Sequence, residues 1–331
     1  MMDRRTFGIA AFAAAFATRA QAPPRIYRVG YLSYTATNTP QDDLVWGGFV
    51  QRLRELGYAE GRNLVIEQRF AEGRLERYAE FAAEMLKLKA DVVVATSGTA
   101  ARAVMAASRS LPIVTTAIPD PVRSGLVASL ARPGGQLTGL SNLADELLPK
   151  RLELLRAAVP GAQRIALARC PRCLLTTGAS QAEVDTLFAE REAAARSMGV
   201  KLLQLDVNAA ADFDATAAAL RRERPDALLI GATPVNVALR EEWLAFAAEQ
   251  RLPLAADDRG FGAMLSYGPD YVAIYRRAAE FVVRILEGAR PGDLPMEQPT
   301  QFELVINLKI ARALGITIPQ SVLLRADEVI Q

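Results

Sequence analysis

The sequence predicts an α/β protein of two similar lobes with parallel sheets, joined by hinge strands. Four observations carry this. Apolar, β-branched runs alternate with Ala- and Leu-rich helical stretches, the order that builds parallel sheets covered by helices. Ala90-Asp91-Val92-Val93-Val94-Ala95-Thr96-Ser97-Gly98-Thr99 and Pro225-Asp226-Ala227-Leu228-Leu229-Ile230-Gly231-Ala232-Thr233 share one layout: acid, apolar run, small or hydroxylated turn, helix. Each copy is preceded by a helix ending in Gly and a strand, Leu56-Gly57 with Leu64-Val65-Ile66 and Met198-Gly199 with Lys201-Leu202-Leu203. Each is followed, one helix later, by a Leu-Pro strand running to acid, Leu111-Pro112 to Asp120 and Leu252-Pro253 to Asp257 and Asp258. Matching units in the same order point to two copies of one lobe, although any alternating β/α chain carries some repetition of this kind.

Residues 1–22 read as an export signal: charged Asp3-Arg4-Arg5, an apolar run from Phe7 to Ala17, and the small-x-small site Ala20-Gln21-Ala22 before Pro23-Pro24. The apolar run is too short to stay in a bilayer as a spanning helix. Arg4-Arg5 with Thr6-Phe7 fits a twin-arginine signal as well as an ordinary secretory one. Losing Arg4, Arg5, Arg19 and Asp3 takes the formal charge from +2 to zero. A neutral chain without a Lys/Arg block is a poor nucleic-acid binder. No cysteine stands at the start of the processed chain, so the expectation is a soluble periplasmic protein, not a lipoprotein, acting as a monomer.

Arg28–Ser33 is the first expected strand, with Ser33 and Tyr34 at its carboxyl end. The helix from Gln41 to Leu56 presents Leu44, Val45, Phe49, Leu53 and Leu56 at helical spacing. Strand, helix, the Val92 strand, a helix to about Ser108 and the Pro112 strand complete the first lobe. Ligands of open parallel sheets sit beyond the carboxyl ends of the strands, where Ser33, Ser97, Gly98, Thr99 and Asp120 fall. Ser or Thr before a helix is ordinarily only a cap, and Asp in Pro-Asp-Pro only a turn residue. Their shared edge makes them candidates together.

Pro133-Gly134-Gly135 interrupts the pattern, and the first crossing between lobes is expected at Gln136–Asn142. The expected organisation is lobe 1 over 23–138 with a return segment at about 268–297, and lobe 2 over 139–267, with a C-terminal segment at about 298–331 that the sequence does not assign to either lobe. Met264–Pro269 reads as the return crossing, and Asp270–Glu287 as a helix packing on the first lobe. Several crossings suit a hinge that opens and closes.

Cys170-Pro171-Arg172-Cys173 follows the strand Ile165–Ala168 and reads as a local disulfide in an oxidising compartment or as a thioredoxin-like pair. With no histidine and no second cysteine pair, a zinc site is the weakest reading, and a Ser-His-Asp or Cys-His arrangement is impossible. No phosphate loop is present, and Gly260-Phe261-Gly262 lacks the third glycine of a dinucleotide site. The expectation is therefore no catalytic residue, no metal and no cofactor.

Gly30-Tyr31-Leu32-Ser33, Leu56-Gly57-Tyr58-Ala59-Glu60-Gly61-Arg62-Asn63, Ser97-Gly98-Thr99, the run from Gly125 to Gly135, Thr138-Gly139-Leu140-Ser141, Phe302–Asn307 and Ile318–Asp327 together resemble the ABC-transporter substrate-binding proteins related to tryptophan-binding proteins. The resemblance implies a periplasmic-binding-protein fold of two Rossmann-like lobes, a small ligand in the cleft, and delivery to a membrane permease. Relatives are associated with aromatic amino acids. Carried over, Ser97, Gly98, Thr99 and Asp120 match the first-lobe cleft loops. Relatives usually carry Asn-Pro-x-Asn where this chain has Cys170-Pro171-Arg172-Cys173, which removes two amides that could face a ligand.

An amino-acid ligand would place its carboxylate at Ser97-Gly98-Thr99 and its ammonium at Asp120 or Asp258. Thr233 completes the second-lobe turn, and Tyr34, Tyr267 and Phe261 are candidates for an apolar wall. Two other classes remain open from the sequence: an exported CxxC thiol-redox protein, and a ligand-sensing module without a transport role.

Overall fold

The computed structural model describes residues 25–35, 40–143 and 146–331. The export signal expected over residues 1–22 lies outside them.

The first lobe contains β1 (Tyr27–Ser33), α1 (Pro40–Glu55), β2 (Leu64–Phe70), α2 (Arg77–Lys87), β3 (Val92–Ala95), α3 (Gly98–Ala107), β4 (Ile113–Ile118) and β5 (Leu137–Ser141). The strands form one parallel sheet in the order β2-β1-β3-β4-β5. All four residues of β3 are buried, as a strand covered on both faces requires.

The second lobe runs through α4 (Leu148–Ala158), β6 (Arg164–Arg169), α5 (Pro171–Thr177), α6 (Gln181–Ser197), β7 (Lys201–Asp206), α7 (Phe213–Glu223), β8 (Ala227–Ile230), α8 (Pro234–Ala238), α9 (Arg240–Glu249), β9 (Leu254–Ala256) and β10 (Leu265–Pro269). After α10 (Tyr271–Leu286), the chain adds β11 (Phe302–Asn307), α11 (Leu308–Ala313), α12 (Gln320–Leu323) and β12 (Glu328–Ile330). The second sheet has the order β12-β11-β10-β9-β8-β6-β7. Its stretch β7-β6-β8-β9-β10 repeats the order β2-β1-β3-β4-β5, and β11 lies antiparallel to β10. The repeated units thus have matching strand orders.

The lobe boundaries fall later than the sequence places them. The boundary at 138/139 cuts β5, which pairs with β4 in the first sheet, so the chain leaves that lobe after Ser141. Met264–Pro269 is largely β10, hydrogen-bonded within the second sheet, and the return follows Pro269. An extended segment between two lobes and an edge strand have the same local pattern; only the partner distinguishes them.

The helix α10 packs on the first lobe although it follows the second in sequence. Ile274, Tyr275, Ala278, Phe281, Val282 and Ile285 form its buried face, at helical spacing. They join Val45, Phe49 and Leu53 of α1 and Val92 and Val94 of β3 in one core. Arg52 reaches Glu280 at 2.7 Å and Arg276 reaches Glu55 at 2.8 Å across the α1–α10 seam. Among the described residues no helix is long and apolar enough to cross a membrane.

Candidate functional site

Both sheets reverse strand order at their β1/β3 and β6/β8 junctions, and the loops leaving those strands face each other. Between them lies a cavity of roughly 1020 Å³, its open mouth included. The first lobe contributes Tyr34, Thr96, Ser97, Gly98, Thr99, Pro119 and Asn142; the second contributes Leu167–Cys170, Cys173, Leu174, Leu229–Thr233 and Asp257. This is the position at which doubly wound sheets bind ligands.

Ser97 is the N-cap of α3: its backbone is extended and its hydroxyl accepts the Ala100 N–H at 3.2 Å. The Ser97 hydroxyl in turn donates to the Tyr78 phenol at 3.4 Å. Burial pushes that phenol well above its ordinary pKa, so it stays neutral behind the cap. Thr233 repeats the device in the second lobe, accepting the Asn236 N–H at 3.2 Å.

Asp257 is 4% exposed and its carboxylate accepts the Ala232 N–H at 2.7 Å. Burial, with the charges of Asp257 and Asp258, drives the Tyr271 phenol well above its usual value. Tyr271 begins α10 at the return crossing, within 3.5 Å of the Asn142 amide at the first. Buried Arg151 donates from Nε to the Tyr267 carbonyl at 2.7 Å. Cavity, hinge and buried charge therefore meet at one place.

The cystine occupies the second-lobe wall. Cys170 and Cys173 are disulfide-bonded, and the Cys170 sulfur accepts the Cys173 N–H at 3.2 Å as the cap of α5. Beside them, the Arg169 guanidinium lies 4.0 Å above the Phe188 ring, with the Arg191 guanidinium 5.2 Å from it.

The lobes touch. Thr99 and Thr176 share a hydroxyl hydrogen bond of 2.8 Å, and Arg102 donates to the Thr177 carbonyl at 2.9 Å from Nε and 2.6 Å from Nη2. Nη2 also donates to the Ser124 carbonyl at 2.6 Å. Burial lowers the Arg102 pKa, and the carbonyls supply what solvent would have given. A Cβ at residue 98 would stand 2.5 Å from the Thr177 methyl, and one at 178 would stand 2.4 Å from Arg102 Nη2. Gly178, at φ 109°, ends α5 in the left-handed conformation and leaves that guanidinium its room.

Of the residues singled out from sequence, Tyr34, Ser97, Gly98, Thr99 and Thr233 line the cavity. Four others do not. The Ser33 hydroxyl is turned to Thr35 at 2.8 Å. Asp120 caps its own turn, accepting from the Val122 and Arg123 N–H groups at 3.2 and 2.8 Å, and borders a smaller neighbouring pocket. Asp258 caps the short turn Arg259–Phe261 through the Gly260 N–H at 2.8 Å. Tyr267 lies in β10 with its ring 6.3 Å from that of Phe302. Phe261 is core, 3% exposed. Sequence reasoning missed Arg151, Phe188 and Arg191, which lie on helices with no motif, Asn142, which directly follows β5, and Arg102, whose role exists only once the lobes face each other. Among the described residues no group of three or more His, Cys, Asp or Glu side chains could hold a metal ion.

Comparison with known proteins places this geometry. Residues 36–330 match the sequence profile of a family described as ABC transporter substrate binding protein. A tyrosine-binding protein of Clostridioides difficile is 27% identical over 280 residues, 83% of this chain and 77% of that protein. The crystal structure of an ABC domain from Streptococcus pneumoniae in complex with L-Trp superposes with a TM-score of 0.80 at 26% identity, covering 92% of this chain and all of the other. A conserved domain protein from Vibrio cholerae gives a TM-score of 0.82 at 28% identity with the same coverage.

Proposed function

The chain belongs to the ABC transporter substrate-binding protein family, and from that premise we propose that it is the periplasmic capture component of an import system. It takes a small organic solute, an amino acid in the first instance, into the cavity between the lobes and presents the closed form to a membrane permease. The observation carrying this reading is the cavity itself, which joins a capped helix start, a buried carboxylate and an apolar wall at the facing ends of two sheets.

The first turn of α3 at Gly98 and Thr99 supplies N–H groups and a dipole end suited to a carboxylate. Asp257, rather than Asp120 or Asp258, is the carboxylate placed to receive an ammonium group. Leu167, Leu174, Leu229 and Ile230 offer an apolar surface to the side chain. Closure takes the ligand's charges out of water, so these fixed groups must replace its hydration. An amino-acid ligand is in keeping with the tyrosine-binding relative and with the L-Trp complex.

The test is a thermal-shift screen of purified protein against amino acids, sugars and nucleosides, with calorimetry on each hit. A native-state ligand at a hundred times its Kd stabilises by about 2.7 kcal/mol, which is easily seen. A shift with one or more amino acids is the expected result. No shift with any of these solutes, together with no co-purified small molecule in native mass spectrometry, overturns the reading.

A further inference from the structure

We propose that the Cys170–Cys173 disulfide is a redox-modifiable site in the wall of the cavity, whose reduction by a dithiol loosens α5 and lets the lobes part. The inference deepens the reading above, in that it rests on capture by closure of these two lobes.

The argument begins with α5. It has only seven residues, too few to be stable alone, and its two ends are held by different means. The disulfide closes its first turn, fastening Cys173 to Cys170 at the end of β6. Its last carbonyl is held by Arg102 from the other lobe. Thr176 and Thr177, which meet Thr99 and Gly98 across the gap, stand at the Arg102 end of this short helix. The docking face of the second lobe is therefore the short helix that the disulfide pins.

Access is the second part. Cys170 and Cys173 are 3% and 8% exposed, and both border the cavity. A reductant must approach a sulfur along the S–S axis, and at these exposures separation of the lobes widens that approach. Closure thus shields the bond that supports closure. A dithiol attacks one sulfur as its thiolate, the S–S bond breaks, and a mixed disulfide forms. The second thiolate of the reductant resolves it. Two electrons and two protons finish on Cys170 and Cys173, and the reductant leaves as a cyclic disulfide. Two thiols need van der Waals separation, so the first turn of α5 must widen and the Thr176–Thr177 contact must shift.

The experiment uses the purified oxidised protein, a timed exposure to dithiothreitol, and maleimide labelling read by intact mass. Arg102→Ala removes the cross-lobe bonds, and Gly98→Ala inserts a methyl into the contact with Thr177; the second serves if the first fails to fold. Both should be reduced at least about fivefold faster than wild type, because lobe opening rather than thiol chemistry limits the rate. Small-angle scattering should show a larger radius of gyration for the reduced wild type and for the Cys170→Ser/Cys173→Ser double variant. Equal reduction rates in all three proteins, or a reduced protein with unchanged scattering, overturn the proposal. A further arm adds L-tryptophan or L-tyrosine. Slower reduction supports shielding by an occupied cleft, whereas no slowing by either, with both variants still accelerated, supports the redox site and counts against these two amino acids as cargo.

Discussion

Arg102 of α3 and the carbonyl of Thr177 at the end of α5 are joined by two hydrogen bonds, at 2.9 and 2.6 Å, although they belong to different lobes. The guanidinium fork also reaches the Ser124 carbonyl, so one side chain ties a first-lobe loop, a first-lobe helix and a second-lobe helix end. A cation at the carboxyl end of a helix is favourable in charge as well as in hydrogen bonding.

Arg102→Ala should weaken ligand retention by about tenfold to a hundredfold, the worth of one or two hydrogen bonds involving a charged group. The loss should appear in the dissociation rate, since these bonds form after encounter. Stopped-flow release of a ligand found in the thermal-shift screen measures it. Arg102→Lys should recover only part of the affinity, because an ammonium lacks the fork that serves three contacts at once.

Ser97→Ala should lower the unfolding free energy by about 1 kcal/mol through loss of the α3 cap. Urea denaturation of the ligand-free protein checks this. If the same hydroxyl also meets the ligand, affinity falls further than the stability loss explains, and calorimetry separates the two.

Asp257→Asn should reduce affinity for an ammonium-bearing ligand by tenfold or more, as a charge-assisted bond becomes a neutral one. The amide can still accept the Ala232 N–H, so that contact is kept. Calorimetry on an amino acid and on the matching acid without its amino group supplies the comparison. Equal losses for both would move the ammonium site away from Asp257.

Glu280 makes acid stability measurable. Burial alone would raise its carboxyl, but its bonds to Arg52 and Arg277 more than reverse this and hold it below the ordinary value of 4.5. A depressed carboxylate contributes stability above its unfolded pKa and loses it as pH falls through the folded value. Glu280→Gln should therefore cost at most about 1 kcal/mol at neutral pH, because the pair is partly solvated. The gap from wild type should close below pH 4.5. Urea midpoints at neutral and acid pH test it, and a gap independent of pH would remove the charge argument.

Much of the architecture was legible because buried parallel strands have to be unbroken apolar runs. Val92–Ala95 and Ala227–Ile230 are both buried at every position, and that pattern exposed the repeat. The crossings were harder: Leu137–Ser141 and Leu265–Pro269 look like linkers locally, and sheet membership follows from partners distant in sequence. At the cavity, Ser97 and Thr233 were legible as caps at strand ends. The choice between Asp257 and Asp258 was not, because adjacent side chains diverge and only the fold shows which one finds the Ala232 N–H and which the Gly260 N–H. Arg151 and Arg191 sit in helices, where arginine ordinarily reads as a solvated face.

The return of α10 to the first lobe has a consequence for biosynthesis. Strands β1 to β5 leave the ribosome early, yet Phe281 and Val282, which help bury Val92 and Val94, are translated only after the whole of β6 to β10. Until then the nascent first lobe carries an uncovered apolar sheet face, the kind of surface on which chaperones act. The amino-terminal lobe is thus made first but completed late, and its maturation waits on residues translated after five strands of the other lobe.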